Sequence, residues 1–202
     1  GGPARRPAPP RPPRRSGGPP PGPPHDALAT FRLLVPHVDA VELNASCPNV
    51  SWGRDRDTEA HLRELLVALR GRPVPLFVKL PPFRTQVERD VVLALAAIAQ
   101  EGGADGLTCA NTVPVEDARL AVGRGGLSGS ALSAQTPGIV AAVAAATHGE
   151  LPNNACGGIA SVADALACLE AGATTVQIYT GLLHGGPGLP ARLARGIARP
   201  SG

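Results

Sequence analysis

Val41-Glu42-Leu43-Asn44-Ala45-Ser46-Cys47-Pro48-Asn49-Val50 begins as a strand and ends as a polar loop. Val41 and Leu43 suit a strand, and Pro48, which has no N–H, halts the ladder. Just past the strand come Asn44, Ser46, Cys47 and Asn49: two amides, a hydroxyl and a thiol beside a rigid proline. Amides can hold a polar planar ligand from both sides. A thiol can take a proton or attack carbon where its surroundings lower its pKa. On this stretch alone, a strand followed by an Asn/Pro turn with an incidental cysteine reads equally well.

The 202 residues amount to one ordinary domain or less. Hydrophobic residues make up 43% and aromatic residues only 2%, so the core must be built from Ala, Val and Leu. No apolar run approaches the roughly 18 residues that a membrane span needs. The basic N-terminus lacks the apolar stretch of a secretory signal. The net charge of +3 comes from residues 1–24, which carry five arginines and no acid. The remainder holds 14 basic against 16 acidic residues, so no nucleic-acid partner is implied. Cys47, Cys109, Cys156 and Cys168 show no Cys-x-x-Cys spacing. That argues against zinc, any other metal centre and a disulfide framework, and fits a reducing cytoplasm.

Residues 1–24 hold 11 of the 23 prolines, with Gly and Arg between them. Such a segment cannot bury enough apolar surface to offset its ordering entropy, so residues 1–25 read as a disordered Pro/Gly/Arg-rich tail and 26–202 as the folded body. A proline-rich docking motif and non-native sequence from a misplaced gene start are the other readings. The chain holds no Met, even at position 1, which fits a piece of a longer protein.

From Asp26 the pattern becomes regular. Helices are expected over 28–35, 58–70, 87–100, 136–147, 161–170 and 189–198, and strands over 38–44, 75–80, 106–110, 152–156 and 174–179. Leu62, Leu65, Leu66 and Leu69 recur at helical spacing. Ser161 is a candidate cap with Asp164 three residues on. Residues 112–135 read as a long Gly-rich connection. Strand then helix, five times over, means a parallel sheet covered by helices. A doubly wound open sheet and a (β/α)8 barrel both fit, although the missing Gly-x-Gly-x-x-Gly weakens the dinucleotide-binding option.

Polar groups follow each strand. Lys79, the one lysine beside 18 arginines, ends the second strand, as a cation for an electron-rich ring or simply as a solvated strand end. Asn111 and Thr112 follow the third strand and also fit an ordinary Asn turn. Gly123-Arg-Gly-Gly-Leu-Ser-Gly129 is glycine-rich, which allows close backbone approach to a ligand. Cys156-Gly157-Gly158-Ile159 and Tyr179-Thr180-Gly181 follow consecutive strands, where barrels often build a phosphate site from backbone N–H groups. Cys109, Cys156 and Cys168 read as small buried residues.

Taken together, Glu-Leu-Asn-x-Ser-Cys-Pro-Asn at 42–49, Val-Lys-x-x-Pro at 78–82, Asn-Thr at 111–112 and Gly-Gly-Leu-Ser-Gly at 125–129 resemble the dihydroorotate dehydrogenase family. The resemblance runs from about residue 38 to 198. It implies the last five β/α units of an incomplete (β/α)8 TIM barrel, with the first three strands outside this sequence. It also implies FMN as cofactor and oxidation of dihydroorotate to orotate in pyrimidine biosynthesis. Cys47 would be the catalytic base. Asn44, Asn49, Asn111 and Thr112 would bind substrate. Lys79, Gly129, Gly157, Gly158, Tyr179 and Thr180 would bind FMN. Ala110 departs from the pattern, which often has a hydroxyl residue there. A cysteine base is typical of the soluble class, while Gln177-Ile178-Tyr179-Thr180-Gly181 resembles the quinone-linked class. The electron acceptor (quinone, fumarate, or NAD through a partner) therefore stays open. So do peripheral membrane association and homo-oligomer formation. The alternatives are a dihydropyrimidine dehydrogenase-like flavin reductase and a non-catalytic barrel fragment.

Overall fold

The computed structural model describes residues 23–45 and 57–198. The Pro/Arg-rich tail expected over residues 1–25 lies outside them as far as residue 22, and so do Cys47 and Asn49. The first element, α1 (Pro23–Leu34), starts five residues before the expected helix, on a Pro-Pro pair that suits a first turn. A 3-10 turn, Val35–His37, follows it. Then come β1 (Val41–Asn44), α2 (Asp57–Ala68), β2 (Leu76–Lys79), α3 (Gln86–Glu101) and β3 (Gly106–Cys109). After β3 the chain forms β4 (Val113–Glu116), β5 (Arg124–Leu127), α4 (Thr136–Ala146) and β6 (Asn153–Cys156). It closes with α5 (Val162–Glu170), β7 (Thr175–Gln177), α6 (Thr180–Gly185) and α7 (Leu189–Ile197).

The main sheet is parallel, in the order β1-β2-β3-β6-β7. Consecutive β/α units lie side by side with no reversal of strand order. This excludes the doubly wound alternative, whose sheet turns back at a switch point, and is the order of a (β/α)8 barrel. The fold is thus a barrel segment of five β/α units. Alternation along the strands separates two faces. Leu76, Val78, Leu107, Cys109 and Ala155 are buried beneath the helices, packed on Leu62, Leu66, Leu95, Ile139, Val140 and Val143. The opposite, inner face carries the polar Glu42, Asn44, Lys79, Thr108, Asn154 and Thr175, with Phe77 among them.

Two differences from expectation have local causes. Residues 112–135 are not a plain connection: β4 and β5 pair antiparallel, Val113 opposite Leu127 and Glu116 opposite Arg124. Pro114 costs nothing there, because a two-stranded hairpin has a free side for a residue without an N–H. Asp117 closes its turn by accepting from the Arg119 backbone N–H at 2.9 Å. The expected strand 174–179 is shorter, ending at Gln177, and Thr180 opens the short helix α6.

Capping boxes fix two helix entries. Thr85 Oγ1 accepts from Glu88 N at 3.2 Å, and Glu88 returns a bond to Thr85 N at 3.1 Å. Ser161 and Asp164 do the same at 3.2 and 2.9 Å. At the amino end of the sheet, Asp105 ties β3 to β2. Its Oδ2 accepts the Leu76 N–H at 2.8 Å and the Arg72 guanidinium. Burial pushes the Asp105 carboxyl up, but the Leu76 N–H and Arg72 more than reverse this and hold it below its ordinary 3.8.

A depressed folded-state pKa means that Asp105 contributes stability above its unfolded value and loses it as pH falls through the folded one. Asp105→Ala is expected to cost about 1 kcal/mol near neutral pH, a small figure because the carboxylate is half exposed. Urea unfolding of parent and variant at about pH 7 and about pH 2 checks this. The gap should shrink in acid, and a pH-independent gap contradicts the assignment.

Candidate active site

Parallel strands all end at one edge, so residues following them gather there whatever their separation in sequence. Asn44 ends β1, Lys79 ends β2, Asn111 and Thr112 follow β3, Gly157 and Gly158 follow β6, and Tyr179 and Thr180 follow β7. Cys47 and Asn49 lie outside the described residues, but the chain leaves β1 toward them from this same edge, at the buried Ala45.

Around β1–β3 the expected residues meet. Asn111 Nδ2 lies 3.4 Å from Asn44 Oδ1, and Asn111 Oδ1 accepts the Thr112 N–H at 2.8 Å. This second bond orients the Asn111 amide, leaving its NH2 toward Asn44. Asn44 and Lys79 are register partners across the β1–β2 ladder, so their side chains share the inner face. The Lys79 ammonium stands 3.6 Å from Glu42 Oε1, with its side chain only 17% exposed. It is therefore a held charge, not a solvated strand end.

Around β6 and β7 a second group forms. Gly158 has φ +77°, and a Cβ there would come within 2.2 Å of Ser133 N, so no other residue fits that turn. The Gly157 carbonyl accepts from Thr136 Oγ1 at 2.9 Å, tying the β6 loop to the start of α4. Thr180 donates to Ser128 Oγ at 3.0 Å, and a Cβ on Gly129 (φ +78°) would touch Thr180 Cγ2 at 3.0 Å. The Gly-Gly-Leu-Ser-Gly segment is thus pressed against the loop after β7. Tyr179 points outward and is 76% exposed, with no described contact to this group.

The cysteines divide by strand parity. Cys109 is buried under the helices, where burial pushes its thiol up to about 12. Cys168 lies on the core side of α5, and burial raises it to about 11. Cys156 corrects the expectation of three core cysteines. It is half-buried and faces the inner side, where burial raises its thiol, Lys79 pulls it down and Glu42 pushes it up. Two groups escaped the sequence reading. Glu42 looked like an ordinary strand residue, and Ser128 was only one letter of a glycine-rich run. A cleft of about 520 Å³ between the starts of α3 and α4, lined by Phe83, Arg84, Arg89 and Gln135, contains none of the residues above.

The fold and this edge define a class: a (β/α)8-barrel segment whose strand ends carry an ammonium, paired amides and glycine-shaped loops. Comparison with known proteins narrows it. Residues 24–200 match the model of the family described as dihydroorotate dehydrogenase, and the chain belongs to that family. It is 36% identical over 186 residues to a protein of Acidovorax sp. (strain JS42) named dihydroorotate dehydrogenase (quinone), covering 85% of this chain and 52% of the relative. A Chloroflexus aurantiacus protein of the same name is 38% identical over 189 residues, with 85% and 51% covered. The crystal structure of DHODH from Eimeria tenella in complex with ferulenol superposes with a TM-score of 0.73 at 27% identity, covering 86% of this chain and 53% of that one. The chain therefore spans about half the length of the curated relatives it matches.

The thiol environments lead to a chemical test. With iodoacetamide at mildly alkaline pH, Cys156 should be modified well before Cys109 and Cys168, which should react only as fast as the chain unfolds. Peptide mass mapping over time gives the order, with urea-unfolded chain as the control. Modification of Cys109 as fast as Cys156 contradicts the burial described here.

Proposed function

We propose that this chain carries the carboxyl-edge half of an FMN-dependent dihydroorotate dehydrogenase site, which oxidises dihydroorotate to orotate. The observation that carries the reading is the convergence, on one edge, of Lys79, the Asn44–Asn111 amide pair and the glycine loops after β5 and β6. Family membership supplies the chemistry that these groups would serve.

The residues fit the group. Oxidised flavin is a flat heterocycle with hydrogen-bond acceptors along one edge, and Lys79 offers an ammonium with three donors on the inner face. The phosphate needs backbone N–H groups unobstructed by side chains, which fits Gly157 and Gly158 after β6 and Thr180 after β7. Gly129 lies against Thr180 and so belongs to the same group. Tyr179, exposed at the same loop, is assigned to FMN on family resemblance alone. When bound, FMN supplies the acceptor for the hydride from C6 of dihydroorotate.

The chain's own residues do the rest. Asn44, Asn49, Asn111 and Thr112 bind the pyrimidine through its amide and carboxylate groups, and the bond from Asn111 to the Thr112 N–H sets which face of the amide is offered. Cys47 takes the proton from C5. The C5–H electron pair becomes the new C5=C6 bond as hydride leaves C6. Cys47 must be a thiolate to do this, so its pKa has to lie near the working pH. The relatives' names specify a quinone, and we take a quinone as the acceptor that reoxidises the flavin, which brings the site to a membrane surface at least transiently. No helix among the described residues is long and apolar enough to cross a membrane.

The test uses the full chain with added FMN. A flavin band that co-elutes through gel filtration and is bleached by dihydroorotate under anaerobic conditions is the expected result. Cys47→Ala should slow bleaching by about 100-fold or more while FMN stays bound, and Lys79→Ala should weaken FMN. Colourless protein overturns the reading for this chain. Bleaching by Cys47→Ala at the parent rate overturns the assignment of the base.

A further inference from the structure

Glu42 has no task in the reading above, yet both of its carboxylate oxygens are engaged on the inner face. Its Oε2 accepts the Thr108 hydroxyl at 2.6 Å, and its Oε1 faces the Lys79 ammonium at 3.6 Å. Thr108 has no exposed surface, so its hydroxyl cannot swing to water. With its single proton given to Glu42, the Thr108 oxygen can only accept, and Asn154 Nδ2 approaches it at 3.4 Å. That turns Asn154 Oδ1 the other way, where it accepts the Thr175 hydroxyl at 3.0 Å. Every donor in this chain points toward Glu42. The chain runs over β7, β6 and β3 and ends in a carboxylate on β1, whose other oxygen meets the cation on β2.

Such directionality does more than satisfy buried polar atoms. Aligned hydrogen bonds polarise one another, so the carboxylate that ends them is gripped by the whole row behind it. A carboxylate fixed by a hydroxyl with no access to solvent also has few rotamers left. Lysine, by contrast, carries its charge on a flexible four-carbon stem, so of the two partners it is Lys79 that needs holding. We infer that Glu42 is the positioning residue for Lys79: anchored by Thr108, its carboxylate fixes the ammonium on the inner face beside Asn44, where a planar ligand with hydrogen-bond acceptors along one edge would meet it. The identity of that ligand as FMN rests on the function proposed above. The holding of Lys79 does not.

Lys79 is the only lysine in the sequence, so lysine labelled with 13C at Cε gives a single side-chain signal. In the parent chain without FMN, the two Hε protons should be inequivalent, as expected of a held ammonium. In Glu42→Gln, which keeps the shape and the Thr108 bond but loses the charge, they should merge. Thr108→Val should have the same effect through loss of the anchor. With oxidised FMN, Glu42→Gln should raise Kd by about fivefold, and the same substitution in a Lys79→Ala background should change Kd no further. Should Glu42→Gln fail to fold, Glu42→Asp, which withdraws the carboxylate by one methylene, is the replacement and should give intermediate values. An unchanged Lys79 signal overturns the inference. So does a loss of FMN affinity that is equally large with Ala at position 79, since a purely structural role for Glu42 would act through the fold and not through Lys79. If the parent chain binds no FMN, the flavoenzyme reading falls, and the Lys79 signal alone decides the role of Glu42.

Discussion

Parallel pairing in one register decides where every polar group of this chain goes. Asn44 stands opposite Lys79, Lys79 opposite Thr108, Thr108 opposite Asn154 and Asn154 opposite Thr175. Side chains alternate along a strand, so a single row fixes which residues look inward on all five strands. A slip of one residue in β2 would drive Lys79 among Leu62, Leu66 and Leu95 and expose Leu76 and Val78. Burying an unpaired ammonium there would cost several kcal/mol. The apolar residues beneath the helices therefore hold the register, and the register delivers the polar row.

That division explains what could be read from the sequence. Leu62, Leu65, Leu66 and Leu69 declare their helix by spacing alone, and Ser161 with Asp164 announces a helix start that the hydrogen bonds bear out. Thr85 and Glu88 spell the same box, yet the helix was expected only from Val87, because its apolar stripe begins there. The β4–β5 hairpin escaped because Arg124-Gly-Gly-Leu has neither β-branched nor aromatic residues, and its four residues are exposed. Its pairing is set by the partner strand, which no local pattern reports. Likewise, Glu42 gave no signal. Its anchor is Thr108, 66 positions away, and periodicity says nothing about which inward-facing residues of two different strands will touch. Lys79, Asn111 and the glycine loops could be found because they sit at strand ends, which the strand–helix alternation does locate.

The same parity rule separates the cysteines. Cys109 and Cys156 both stand at the last position of a strand. Ladder pairing sets Cys109 opposite Ala155, so Cys156 is one step out of phase with it and emerges on the other face. One thiol is consequently inert in the core, while the other feels both Lys79 and Glu42. Composition alone made them equivalent small residues. Only the pairing of β3 with β6 distinguishes them.

Parallel sheets are usually covered on both faces and read as continuous apolar strands. Here the face away from the helices is largely polar, Phe77 apart, which would be expensive if its polar groups were left unpaired. They are not left so: Thr175, Asn154, Thr108, Glu42 and Lys79 satisfy one another in sequence. The two asparagines that make β6 look like a poor strand are part of the reason it is one. Asn153 turns to the helix side and bonds the Val140 carbonyl at 3.4 Å, while Asn154 joins the inward chain. A hydrophobic inner face would hold the barrel wall more simply, but it could not keep an ammonium in place at the strand ends. An arginine at position 79 would span Glu42 with a broad planar fork and leave no compact charge free to face a ligand. The lone lysine, the carboxylate below it and the donors behind that carboxylate are therefore one arrangement, in which the bonds that make a polar sheet face tolerable also fix the direction of the Lys79 cation.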